Sequence, residues 1–135
     1  MSNEMWRIIL AVAIGAHGIG HVLFLVPLLG IADWGQSTRS WLLSNLGGDV
    51  VTRIVGSLLW LAATVGFVTV AVGMFGQQEW WRGLAIGSAA VSILGLVLFW
   101  GAPVSSSTFL PLLFDIAVLV ALLLLRWPPS SLVGP

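Results

Sequence analysis

The chain has 135 residues, of which 59% are apolar and only 7% charged, and its mean hydropathy is +1.07. Soluble domains carry about a quarter charged residues, so the composition is that of a chain solvated by lipid. Five basic and five acidic residues cancel, leaving no basic face for nucleic acid, and the absence of cysteine excludes disulfides, thiol catalysis, iron–sulfur ligation and Cys-type zinc sites.

Four apolar runs predict four spanning helices, each near the ~20 residues that a bilayer requires. The first covers residues 6–29. It is too long and too histidine-bearing for a signal peptide, and no small-residue cleavage pattern follows it, so it reads as a retained helix. The longest connection follows, residues 30–50. Within it, Ser37 or Thr38 is placed to cap a short interfacial helix over residues 38–46, carrying Trp41, Leu42, Leu43 and Leu46. Gly47 and Gly48 should stop that helix, and Asp49 should cap the second span, residues 51–75. The tight turn Gly76-Gln77-Gln78-Glu79 makes the second and third spans antiparallel neighbours. The third span covers residues 80–100. Pro103 and a serine run lead into the fourth, residues 108–127, with Pro111 in or near its first turn.

The predicted fold is therefore all-α: an up-and-down four-transmembrane-helix bundle with a short interfacial helix between spans one and two. Residues 1–127 make one integral membrane domain, and the Gly/Ser/Pro-rich residues 128–135 read as a short disordered tail. Tryptophan favours both membrane interfaces. In this arrangement Trp6, Trp80, Trp81 and Trp127 fall at one face, Trp34, Trp41 and Trp100 at the other, and only Trp60 inside. Both termini share a face. That face carries Arg7, Arg82 and Arg126 against Arg39 and Arg53 opposite, which orients the termini to the cytoplasm. Arg53 is read as snorkelling to the interface, with an inward turn toward His21 as the alternative.

Small residues four apart let helices approach closely. Ala11/Gly15, Ala16/Gly20, Ala62/Gly66 and Gly83/Gly87 are such pairs. They read first as packing within the bundle. The sharper reading is a face for a second copy or a partner subunit, on the Gly83, Gly87 and Ala90 side of span three.

The polar residues inside the apolar runs are the candidate site. At ~1.5 Å per residue, His17 counted from Trp6, and Asp115 counted from Arg126, each lie roughly 17 Å from the terminal face. Ser92 and Thr64 reach a similar level, and His21 sits one turn further in, near Trp60. An aspartate in hydrocarbon must face the interior, be protonated or be paired. His17 and Asp115 are therefore expected to meet, with Ser92 and Thr64 completing the shell. Such a cluster reads either as a polar knot that fixes helix register or as a site for proton handling or ligand binding. The four-residue spacing puts both histidines on one helix face. Two imidazoles and Asp115 are a sparse metal set, and one helix cannot place both histidines on opposite sides of a haem, so neither a metal nor haem is the favoured cofactor.

The stretch from Arg7 to Phe24 resembles the first helix of DoxX-like small membrane proteins, which show an arginine, a His-Gly pair ten residues later, then a basic residue and a Leu-Phe pair. Arg7, His17 and Gly18 match, His21 stands where the family usually has lysine, and Leu23 and Phe24 follow. The acidic residue often found early in the family's second helix is missing, Arg53 being the nearest charge. The resemblance implies a redox-associated, quinone-facing subunit, in a bacterial plasma membrane, with four spans. With no Cys, no Tyr and no assembled nucleophile, catalytic activity by the chain alone is not expected. Two rival readings are a small-molecule or proton carrier using His17 and Asp115, and a purely structural assembly or anchor subunit.

Overall fold

A computed structural model describes residues 1–101 and 106–134. Among the described residues every regular element is a helix, in the order α1 (Asn3–Gly20), α2 (Val22–Leu28), α3 (Leu43–Phe75), α4 (Trp81–Leu98), α5 (Ser106–Leu119), a π-helical turn (Val120–Leu124) and α6 (Ser130–Val133). Three helices are long and apolar enough to cross a membrane: α1 with α2 (26 residues), α3 (33 residues) and α4 (18 residues). The fourth apolar helix, Thr108–Leu124, is shorter.

The distribution of side chains is that of a protein in lipid. Val12, Ile19, Leu58, Val65, Val72 and Leu94 lie exposed on the outside, whereas His21, Thr52, Ser88, Ser92 and Asp115 are buried. Water as the sole solvent would leave a large apolar surface uncovered; hydrocarbon removes that cost. The chain is thus of integral-membrane type, with a polar layer between two apolar cores. One core gathers Ala11, Ile14, Phe67, Val70, Met74, Trp81 and Ala85; the other gathers Leu28, Trp60, Leu96 and Phe99.

α1 and α2 run on as one rod because His21 keeps right-handed helical angles. Pro27 has no N–H, so the carbonyl of Leu23 loses its helical donor. The Trp34 indole supplies one, Nε1 to Leu23 O, at 2.7 Å. The long loop satisfies other helix ends in the same way. Arg53 Nη1 donates to Leu28 O at 3.0 Å, Ser40 Oγ to Leu98 O at 2.6 Å, and Trp41 Nε1 to Val97 O at 2.7 Å. Arg53 therefore stays exposed on the loop side, as snorkelling predicts, and is not turned to His21; there it caps α2, where its charge also suits the helix dipole.

Several local expectations are corrected. The cap of the loop helix is Ser40, whose Oγ accepts from Leu43 N, not Ser37 or Thr38. Residues 38–40 are irregular, and the single interfacial turn beginning at Leu43 runs directly into the second span. Gly48 makes the break with φ +71°, a conformation that glycine adopts without steric cost. Asp49 is the first residue after that break, at the start of the second span as expected, and Thr52 Oγ1 donates to the carbonyl of Gly48 at 2.8 Å. Pro111 sits in the second turn of α5, not at its start, and Ser106 is already helical. Pro103 and Ser105 lie outside the described residues. The expected disordered tail instead forms α6, which docks on α1: Val133 is fully buried and Asn3 Nδ2 donates to Ser131 O at 3.0 Å. Trp81, expected at an interface, turns its ring into the core.

Glycines govern how closely the helices pack, but at other positions than Gly83 and Gly87. A Cβ at Gly18 would lie 2.7 Å from Phe67 Cβ, and one at Gly95 2.8 Å from the Trp60 ring; one at Gly66 would collide with Ser88 Oγ. Around Gly83 and Gly87 no atom of the described residues lies within 4 Å of an added Cβ, so among the described residues this face of α4 is unpacked. α1 packs along α3, α3 along α4 and α4 along α5. Clefts along the α1–α5 seam remain open.

Candidate functional site

Four helical segments meet in the polar layer. α1 supplies His17, and the junction with α2 supplies His21 one turn on. α4 supplies Ser92 and α5 supplies Asp115. His17 Nε2 lies 2.8 Å from Asp115 Oδ1. The other carboxylate oxygen, Oδ2, lies 2.5 Å from Ser92 Oγ. Ser92 Oγ lies 2.6 Å from His21 Nε2, and His21 Nδ1 lies 3.0 Å from the carbonyl of His17. A chain of hydrogen bonds thus runs His17–Asp115–Ser92–His21 and closes back on helix α1.

Burial gives these bonds their weight. Asp115 and Ser92 are 0% exposed and His21 is 1% exposed, while His17 is partly open. In such surroundings an unpaired polar atom costs about 1–3 kcal/mol and an unpaired charge more. Aromatic rings wall the cluster. Phe114 stacks on His17 at 4.1 Å between centroids, Phe67 stacks on His21 at 5.8 Å, and Trp60 tilts against His21 at 5.8 Å.

Of the residues singled out from sequence, His17, His21, Ser92 and Asp115 come together by direct hydrogen bonds, and Trp60 covers His21. Thr64 does not join them: its hydroxyl donates to the carbonyl of Trp60, one turn back on its own helix, at 2.8 Å. Phe67 and Phe114 were missed. Phe67 stands seven residues after Trp60, on the same helix face, and Phe114 directly precedes Asp115. Spacing from the polar positions was the available signal for both.

Metal ligation by His17, His21 and Asp115 meets a geometric obstacle. One ligand atom from each lies within 4.8 Å of the others. Two ligands of one zinc ion at ~2.0–2.2 Å reach at most about 4.4 Å apart. The set would have to contract and give up the hydrogen bonds just described.

Two clefts lie along the α1–α5 seam. The smaller, about 210 Å³, is lined by His17, Gly20, His21, Phe24, Leu110 and Pro111. The other, about 250 Å³, is lined by Leu10, Ile14, Phe114, Val118, Leu122 and Trp127 among others, and is almost wholly apolar. Phe114, stacked on His17, forms part of the wall of the second. On the loop side, a polar cleft is lined by Asp33, Gln36, Thr38 and Arg53, and Asp115 is not part of its wall. Compared with protein-family models, curated proteins and solved structures, the chain matches none.

Proposed function

We propose that the chain is a four-span, DoxX-like subunit of a membrane redox system that faces a quinone-class ligand and has no catalytic activity of its own. The observation that carries this reading is the cleft beside His17 and His21. A quinone-class site requires an apolar slot that opens to lipid beside a polar group able to hydrogen-bond a ring oxygen. A cleft of about 210 Å³ is smaller than the ~300–1,000 Å³ typical of whole-ligand sites, and suits a single substituted ring. The apolar cleft further along the seam suits a hydrocarbon tail. Arg7, His17 and Gly18, which carry the family resemblance, stand on the helix that lines both clefts.

The proposal extends to location and association. The membrane is a bacterial plasma membrane with the termini on the cytoplasmic side, following the arginine bias. The Gly83, Gly87 and Ala90 face of α4, exposed and unpacked, is the face for a second copy or a partner subunit. A carrier role has less support, since Asp115 is fully buried and lines none of the clefts described above.

Gly20 provides the test. It lines the cleft, and among the described residues nothing lies within 4 Å of a Cβ placed on it. Gly20→Leu should fill the cleft and leave the hydrogen-bonded cluster intact. Protein in lipid nanodiscs should bind a short-chain benzoquinone or its hydroquinone saturably, read by tryptophan fluorescence, and Gly20→Leu should lose that binding. Wild-type protein that binds neither form overturns the reading.

A further inference from the structure

We infer that the cleft selects the reduced, hydroxyl-bearing form of its ligand, because the polar atom offered there is a hydrogen-bond acceptor, Nδ1 of His17. The inference rests on the quinone-class reading and specifies which redox form is held.

The argument is a proton count. The cluster has four hydrogen bonds, and each needs one proton. His21 Nδ1 must donate, since a backbone carbonyl only accepts. Ser92 has one hydroxyl proton and two bonds to serve, to His21 Nε2 and to Asp115 Oδ2. Two neutral histidines, one serine and a carboxylate bring three protons to four bonds. One added proton completes the network. It resides on Asp115 Oδ2, with Ser92 then donating to His21, or on His21 Nε2, with Ser92 donating to the carboxylate. Both arrangements leave the cluster without net charge, the condition that burial in hydrocarbon favours. Other arrangements that keep all four bonds leave a net positive charge.

In both neutral arrangements the proton between His17 and Asp115 belongs to His17 Nε2. The remaining ring nitrogen of His17, Nδ1, is therefore unprotonated. Among the described residues no group donates to it, and it is not sealed among the buried orphan atoms, which are Arg7 Nε and Trp81 Nε1. Both nitrogens of His21 are already bonded. His17, which lines the cleft, thus carries an unprotonated Nδ1 that no described group occupies, held in that tautomer by Asp115. A lone pair takes a hydroxyl and repels a carbonyl. A hydroquinone has hydroxyl donors, whereas a benzoquinone without hydroxyl substituents has only carbonyl acceptors. The complex requires no proton transfer: the hydroxyl keeps its proton and donates a hydrogen bond.

The test compares one short-chain benzoquinone with its own hydroquinone, under argon, on nanodisc-embedded protein labelled with 15N at histidine. The hydroquinone should bind at least about fivefold tighter, the worth of one net hydrogen bond, and should shift the unprotonated nitrogen resonance of His17 while leaving both His21 resonances in place. Equal or tighter binding of the quinone, lost in Gly20→Leu, overturns the inference and leaves the cleft reading standing. A hydroquinone that binds without moving the His17 resonance also overturns it. Binding of neither form removes the cleft reading itself.

Discussion

His17 Nε2 and Asp115 Oδ1 lie 2.8 Å apart across 98 residues of sequence, joining the first apolar helix to the last. The contact bridges two helices along whose seam two clefts lie, so the polar pair, with Phe114 stacked on His17, ties α5 to α1. Removing one partner of a buried pair is costly because the survivor keeps its desolvation penalty.

Asp115 substitutions should separate charge from hydrogen bonding. Asp115→Asn retains an oxygen for His17 and brings an N–H for Ser92, reproducing the protonated acid of one neutral arrangement. It is expected to fold, with a stability loss no greater than ~1 kcal/mol. Asp115→Ala strands His17 Nε2 and Ser92 Oγ and is expected to cost ~2–6 kcal/mol, at ~1–3 kcal/mol for each stranded group. Thermal unfolding of the two variants in the same detergent checks the contrast. Equal losses would show that bond geometry is irrelevant to the pair.

Ser92 and Thr64, which lie at similar depth by counting, should behave differently. Ser92→Ala deprives two buried atoms of their shared partner and is expected to cost ~2–6 kcal/mol, at ~1–3 kcal/mol for each stranded group. Thr64→Val removes only a bond back to the carbonyl of its own helix, which is not needed for the helical ladder, and is expected to cost under ~1 kcal/mol. Chemical denaturation in mixed micelles measures both, and a larger loss at Thr64 would contradict the described network.

The glycines divide in the same manner. Gly95→Ala pushes a methyl toward the Trp60 ring, and Gly66→Ala meets Ser88; each is expected to destabilise the fold by ~1–3 kcal/mol through overpacking. Gly87→Leu, placed where nothing lies within 4 Å, is expected to leave unfolding unchanged and to weaken self-association or partner capture, read by cross-linking in the membrane. A Gly87→Leu protein that associates as the parent does would remove α4 as the contact face.

The sequence by itself determined the integral-membrane character, the approximate extent of the apolar helices and the shared level of His17, Ser92 and Asp115. Hydropathy and helix rise are local properties, so counting from Trp6 and from Arg126 was enough to put His17 and Asp115 at one level. Ser92 was legible for the same reason. What depended on direction around the helix axis, and on which helices touch, was decided by tertiary structure. Thr64 stands at a suitable depth but bonds its own helix; Arg53 finds the end of α2; Gly83 and Gly87 are left unpacked while Gly18, Gly66 and Gly95 carry the close approaches. The tail became a docked helix because Val133 found a buried place among side chains far away in sequence. The tautomer of His17 likewise exists only in the assembled network, since it follows from how four bonds among four segments share their protons. Rise per residue is a property of one helix; the facing of side chains is settled by all the helices packing at once.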